Sequence, residues 1–512
     1  MDLRNFLKRE VKRRIHLVEL LYYTDSPLSA DYLTNALGCS LPALHNTVYA
    51  LNNEDLPLNI FKNQGGYTLQ FYSYASIDSL YAEMIKGTLD FQILKRLFFQ
   101  LLDNIPKNAS YLNCSYSTYS SKLRQIKRFL LQWEIDLAHR PLKVLGDEDL
   151  LRHFYYLFFK EQRLAFHEYD FSDKLVRLID RYIRELLAAN HAKNTMNTHF
   201  YLLHNFLICL YRRRKGHKLD ISLVDPTSLR LPKKSEHSEL ARRIRWECHL
   251  TFDEELIFEA LWPLLSGTLV LTAQQQAVQQ CTNKRLARFY AQHIKLLKEI
   301  NQTIGNTLTE EEMQAALRHL GNELFIYYPE KKPINILSQQ KKYSLLRLKK
   351  IYVRPINQLT RMIERFLKRH RLPAFEETLE TYLCSLIVSI DNLLNRLSIQ
   401  AEPLNVLLLS DASPHHETFW QNVLKRWIDG PLNCHFHSDP YITQRELAHL
   451  TKKYDLLITD VTMPELKSHC AVITINSYPT TKDFAMIQHF IDKYDPHMHK
   501  RKEKPYEPTL PA

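Results

Sequence analysis

Glycine is scarce: only 10 of the 512 residues are Gly. Parallel α/β enzymes place glycine in phosphate loops and tight turns, so this scarcity argues for a mainly helical chain with few such loops. A run of about 18 apolar residues, which a membrane helix needs, is also missing. The opening MDLRNFLKREVKRRIHLVELL carries charges throughout and lacks the apolar core of a signal peptide. The eight cysteines, Cys39, Cys114, Cys209, Cys248, Cys281, Cys384, Cys434 and Cys470, form no CxxC pair, which reads as reduced thiols in a cytoplasmic protein. No nucleophile–base constellation or phosphate-cradling loop stands out, so neither an enzyme nor a cofactor is expected. His415-His416, Cys434 to His437 and His469-Cys470 crowd soft ligands into one region, but their spacing fits no structural zinc pattern, and no metal is expected.

What is present is an ordinary globular balance, 45% apolar and 24% charged, in a chain long enough for three to five domains. The net charge of +12 suits a polyanionic partner. It does not locate the contact, because residues 1–150 hold 17 Lys/Arg against 16 Asp/Glu. The most basic segment, 331–371, holds 13 Lys/Arg and one acid, Glu364. Local patterning must therefore find the reader.

Residues 12–71 read as three helices and a hairpin. KRRIHLVELLYY has helical apolar spacing, Ser29 caps a helix that Gly38 ends, and Ser40 caps SLPALHNTVYALNN. LNIFKNQGGYTLQF then alternates around Gly65-Gly66, a hairpin signal. That order is a winged helix-turn-helix, and 73–160 repeats the layout with SYSTYSSKLRQIKRFLLQW as its long helix and IDLAHRPLKVLGDE as its wing. From about 150 to 400 the pattern is nearly all helical, broken by a basic stretch near 212–245 and by YYPEKKPINILSQQKKYS. From 403 apolar strands alternate with helices, which predicts a small α/β domain with a parallel sheet. The fold class is thus mainly α and multidomain: winged helices at 1–72 and 73–160, helical bundles at 161–280 and 281–400, an α/β domain at 401–498 and a disordered tail at 499–512.

A recognition helix buries one face and offers the other to a groove. In the second unit Tyr119, Leu123, Ile126 and Leu130 share one side, and Ser117, Ser121, Arg124, Gln125 and Arg128 lie opposite, with Lys122 and Lys127 flanking. All seven can bond phosphates or base edges of double-stranded DNA. In the first unit Asn46, Tyr49 and Asn53 are outward, and Lys62 on the wing is the nearby cation. An amphipathic helix with a solvated polar face would show the same spacing; the preceding short helix and the following wing favour DNA. The second unit is expected to be the stronger contact.

The tandem units, the segment SYSTYSSKL and the run LKVLGDEDLLRHFYYLFF, with Gly146-Asp147-Glu148 and then Arg152, resemble the Mga-type virulence regulators of Gram-positive bacteria. The resemblance runs through the whole chain in order and implies two regulatory domains like those of phosphotransferase-system regulators, then a domain similar to EIIB subunits. It implies a homodimeric transcription activator that binds A+T-rich or curved DNA with loose sequence specificity. It also implies phosphorylation of histidines by a sugar phosphotransferase phosphocarrier protein. In LLHNFLICLYRRRKGH, Arg212 and Gly216 fit the family's acceptor pattern, but Asn205 stands where its His belongs and His204 where its Asp belongs, leaving His204 and His199, with His217 nearby, as candidate acceptors. In the second bundle Ser389 takes the corresponding place. The EIIB cysteine is absent: the first strand runs into Leu409-Ser410-Asp411, and a serine cannot replace a thiolate in that exchange. Asp460 in DLLITDVTMPEL looks like a receiver's phosphoacceptor, but the second acid and the lysine that a receiver needs are missing. Two other readings remain: an RNA-binding antiterminator, whose N-terminal domain would be β-rich, and a non-catalytic scaffold whose winged helices bind protein.

Overall fold

The computed structural model describes residues 4, 7–24, 26–100, 104–139, 142–222, 224–328, 331–334, 336–337, 340–399, 403–413, 415–428, 430–437, 442–463 and 466–494. The tail expected at 499–512 and the tip of the second wing, Arg140-Pro141, lie outside them. The described chain is mainly helical with one small parallel sheet.

Helices α1 (Arg9–Tyr22), α2 (Ala30–Leu37) and α3 (Leu41–Asn53) lead into the hairpin β1 (Leu58–Asn63) and β2 (Gly66–Phe71). Ser29 caps α2 by accepting from the Tyr32 amide, and Gly38 ends it in the left-handed conformation. Leu28 pairs with Tyr67, so the wing has a third edge. Gly66 is required there: at φ +127°, a Cβ would sit 2.3 Å from the Leu28 carbonyl oxygen.

The second unit follows as α4 (Ile77–Lys86), α5 (Leu89–Phe99), α6 (Ile105–Tyr111), α7 (Tyr116–Leu130), β3 (Asp136–His139) and β4 (Leu142–Leu145). The helical region continues with α8 (Glu148–Gln162), α9 (Asp173–Ala189), α10 (Met196–Arg214), α11 (Ser238–Cys248), α12 (Glu254–Ala260), α13 (Trp262–Leu265) and α14 (Ala273–Thr282). Then come α15 (Lys284–Thr303), α16 (Glu310–Leu324), α17 (Gln340–Ile351), α18 (Val353–Arg369), α19 (Glu376–Ser389) and α20 (Leu393–Ile399). The expected helix-poor interval is shorter than its sequence suggests, because α17 already begins at Gln340. The basic stretch near 212–245 contains the end of α10 and most of α11.

The chain divides into two compact units. One comprises 1–294, 314–344 and 367–385; its core joins both winged helices to α8–α13 and to Ile326, Tyr327 and Leu337. The other comprises 295–313, 345–366 and 386–512. It contains β5 (Leu404–Leu409), α21 (His416–Trp427), β6 (Leu432–Phe436), α22 (Gln444–Leu450), β7 (Leu456–Thr459), β8 (Ala471–Thr474) and α23 (Thr481–Lys493). The four strands are parallel in the order β6-β5-β7-β8. Leu404, Val406 and Leu408 pack with Trp420 and Ile487, whereas Leu407 packs with Leu447 on the opposite face. Burial on both faces is why LNVLLL is nearly continuous in apolar residues.

Candidate nucleic-acid interface

The helix-turn-helix of the second unit is built from α6, a short turn and α7. Asn104 caps α6 by accepting from the Lys107 amide, and Asn113 turns the chain with φ 50°. Ser115 then caps α7, accepting from the Thr118 amide at 3.0 Å. Tyr119, Leu123, Ile126, Phe129 and Leu130 are buried. Each such side chain contributes about 1.5–3 kcal/mol against about 1 kcal/mol for the cap, so this apolar stripe fixes which face points outward.

On the outward face Ser117, Ser121, Arg124 and Arg128 are exposed. Among the described residues Arg124 makes only a long intrahelical bond, Nε to the Ser120 carbonyl at 3.4 Å. Neither Arg124 nor Arg128 has an acidic partner among the described residues. Gln125 is half-buried, its Oε1 without a partner among them. The two lysines behave differently. Lys122 reaches back to Asp90 at 3.0 Å, a carboxylate 2% exposed, and Lys127 pairs with Asp136 at 2.8 Å. Burial raises the Asp90 pKa, and the bond from Lys122 opposes that rise. Both lysines therefore anchor α7 to its own domain. The sequence carries no signal for Tyr111 and Tyr116, which are exposed beside this face, with the Arg96 guanidinium 3.8 Å above the Tyr111 ring.

The helix-turn-helix of the first unit, α2 and α3, matches α6 and α7 at a constant offset. Leu37-Gly38-Cys39-Ser40 matches Leu112-Asn113-Cys114-Ser115, with Gly38 at φ 57° and Asn113 at φ 50°. At the same offset of 75 residues Leu44, Val48 and Leu51 match Tyr119, Leu123 and Ile126, while the outward Asn46, Tyr49 and Asn53 match Ser121, Arg124 and Arg128. All three first-unit residues are exposed, Tyr49 by 72%. Asn53 Nδ2 is turned onto the Tyr49 carbonyl at 2.8 Å. Lys62 is exposed on the wing, 5.7 Å from the Tyr67 ring centroid. Asn52, which periodicity alone does not single out, ties α3 to β1 through both the amide (2.8 Å) and the carbonyl (2.9 Å) of Ile60.

Behind the reader, the run beginning Gly146-Asp147-Glu148 supplies a buried ionic core. Arg152 is fully buried and bonds Glu148 at 2.9 Å and Glu259 at 2.8 Å. Arg212 bonds Glu148 at 2.6 Å, and Arg213 bonds Glu259 at 2.6 Å. Burial alone would raise the Glu148 carboxyl; the guanidiniums of Arg212 and Arg152 hold it below its ordinary value. These arginines thus join α8 to α10 and α12.

His204 is 1% exposed and its Nδ1 lies 2.9 Å from the Tyr169 hydroxyl; burial pushes its pKa down to about 3. His199 is 15% exposed, with Nε2 2.5 Å from Asp180. At the carboxyl ends of β5 and β7, the Ser410 hydroxyl donates to Asp460 at 2.9 Å and the Asp411 amide donates to it at 3.1 Å. Cys434 is half-buried against the sheet core. No group of three or more His, Cys, Asp or Glu that could hold a metal occurs among the described residues, and no helix among them is long and apolar enough to cross a membrane.

Comparison with known proteins bears on the same elements. Residues 73–159, α4 through most of α8, match the Mga helix-turn-helix domain. A Streptococcus pneumoniae serotype 4 protein described as a trans-acting regulator is 19% identical over 481 residues, covering 93% of this chain and 96% of that protein. The capsule synthesis positive regulator AcpA of Bacillus anthracis is 24% identical over 225 residues, 42% of this chain and 45% of AcpA. Residues 73–159 are thus similar to the Mga helix-turn-helix domain, within a chain whose relatives are described as a trans-acting regulator and a capsule synthesis positive regulator.

Proposed function

We propose that this protein regulates transcription by binding A+T-rich or curved duplex DNA as a homodimer, with α7 as its principal reader and α3 as a second. The observation that carries this reading is the pair of exposed guanidiniums, Arg124 and Arg128, one turn apart on a capped recognition helix and free of acidic partners among the described residues. Such cations neutralise phosphates, and removing one of them lowers the salt dependence of binding by about one unit of slope. Asn46 has the chemistry to read adenine from α3. Activation is the direction that the name of the capsule regulator suggests. A sugar phosphotransferase phosphocarrier would tune the protein at His199 rather than His204, because His204 is sealed by its neighbours. The domain plan expected from the sequence, with bundles at 161–280 and 281–400 and the α/β domain at 401–498, is part of the same proposal.

The test is binding of the full chain to an A+T-rich, intrinsically curved duplex across a salt series, beside the variant Arg124→Ala/Arg128→Ala. The reading expects salt-sensitive binding whose slope falls by about 2 in the variant. No binding at low salt would instead favour a scaffold whose winged helices bind protein. A phosphocarrier reconstitution that labels neither histidine would remove the phosphate tuning.

A further inference from the structure

A recognition helix enters the major groove by its N-terminal end, so its first turn meets base edges before its middle does. The first turn of α3 has no polar side chain: Leu41, Pro42 and Ala43 follow Ser40. Leu41 is nevertheless 45% exposed, and Pro42 is exposed beside it. At the same offset of 75 residues Tyr116 opens α7, and it is 59% exposed. The hydroxyls of its neighbours Ser117 and Thr118 each lie 2.8 Å from that of Ser115, the residue that caps the helix. Tyr116 is thus the large side chain that this turn offers outward.

The other exposed pairs of the two helices change their chemistry. Pro42 is matched by Ser117, Asn46 by Ser121, Tyr49 by Arg124 and Asn53 by Arg128. The first position keeps a large, water-exposed hydrophobic side chain in both copies. The groove says what such a side chain can read. Base edges there carry hydrogen-bond donors and acceptors and one apolar group, the C5-methyl of thymine. A leucine cannot bond the donors or acceptors, and it gains only from the methyl.

We infer that Leu41 and Tyr116 read thymine through its C5-methyl, so that part of the preference for A+T-rich DNA is direct rather than a consequence of curvature. The inference rests on the DNA-binding reading above and names the base that its two helices select. Arg124 and Arg128 hold phosphates, which fixes the register, and the first turns choose the base.

The test uses the full chain, one curved A+T-rich duplex, and the same duplex with every thymine replaced by deoxyuridine. Uracil pairs as thymine does but lacks the methyl. Burying one methyl is worth about fourfold in affinity, so with both helices engaged the parent should bind the uracil duplex about tenfold more weakly. Removing methyls also alters the shape of a duplex, and a variant separates the two causes. Leu41→Ala/Tyr116→Ala should bind both duplexes within about twofold of each other, having lost the groups that bury the methyl. It should keep the parent's salt slope, because apolar contacts release no counterions. Each single change should remove about fourfold of the uracil penalty, and the thermal unfolding midpoints should stay close to the parent's. A penalty of equal size in the parent and all three variants would mean that the methyls act through duplex shape, and would overturn the inference. Parent binding without any penalty would overturn it too. If the parent binds neither duplex at low salt, the DNA-binding reading itself falls and takes this inference with it.

Discussion

Four histidines are kept neutral by burial: His153 and His217 are pushed down to about 4, His204 and His293 to about 3. A histidine in the unfolded chain titrates near 6.5. Below that pH the unfolded state therefore takes up protons that the folded state refuses, and stability falls as pH falls from about 6.5 towards 4. The urea midpoint should drop between pH 7 and pH 5, and His204→Asn should make the drop shallower; a midpoint flat over that range would contradict the burial. Arg152 makes the opposite case, a charge retained inside. Arg152→Met leaves Glu259 buried with one cation fewer and should cost about 3–5 kcal/mol in denaturant unfolding. A loss under about 1 kcal/mol would mean that the network is dispensable. Neither Arg152 nor Lys122 was legible as an internal tether. A cation in an amphipathic helix reads as surface, and the acid that ties it to another helix lies elsewhere in the chain, Glu259 lying 107 residues from Arg152 and Asp90 lying 32 residues from Lys122.

Among the elements, α7 and α3 share a plan that the sequence spells out and a chemistry that it disguises. Helix periodicity, the cap Ser29 and the hairpin around Gly65-Gly66 were all readable, because each depends on neighbours a few residues away, whereas Ser40 stands at the start of α3 as expected but makes no side-chain cap bond. The offset of 75 was harder to see, since only Leu, Cys and Ser of the turn are identical and the outward residues change from Asn46, Tyr49 and Asn53 to Ser121, Arg124 and Arg128. Selection for a groove-facing surface and for a buried stripe are separate demands, so the stripe can persist while the surface changes. Two changes probe the elements without touching the outward residues. Ser115→Ala removes one cap bond and should cost about 1 kcal/mol. Gly66→Ala collides with the Leu28 carbonyl and should unpair the first wing, lowering stability by more than the cap does, as read by amide exchange in β1 and β2. Equal protection of those strands in both proteins would contradict the close approach.

For the whole molecule, the mainly helical class and the parallel C-terminal sheet were readable from periodicity, but the way the chain is partitioned was not. The first compact unit takes back 314–344 and 367–385 after the chain has left it. Such returns depend on packing between residues far apart in the chain, and no local pattern encodes them. They place Lys331 and Lys332 against Glu134 and Trp133, so a segment that contacts the end of α7 comes from sequence almost 200 residues away. The central claim, that α7 carries most of the DNA binding, is tested most directly by comparing two full-length variants on one curved A+T-rich duplex across a salt series: Arg124→Ala/Arg128→Ala, and Asn46→Ala/Tyr49→Ala/Asn53→Ala. The account predicts that the first loses more affinity at low salt and has a shallower slope by about 2, while the second keeps the parent slope. A parent-like slope in the first variant, with the larger loss in the second, would contradict it and make α3 the principal reader.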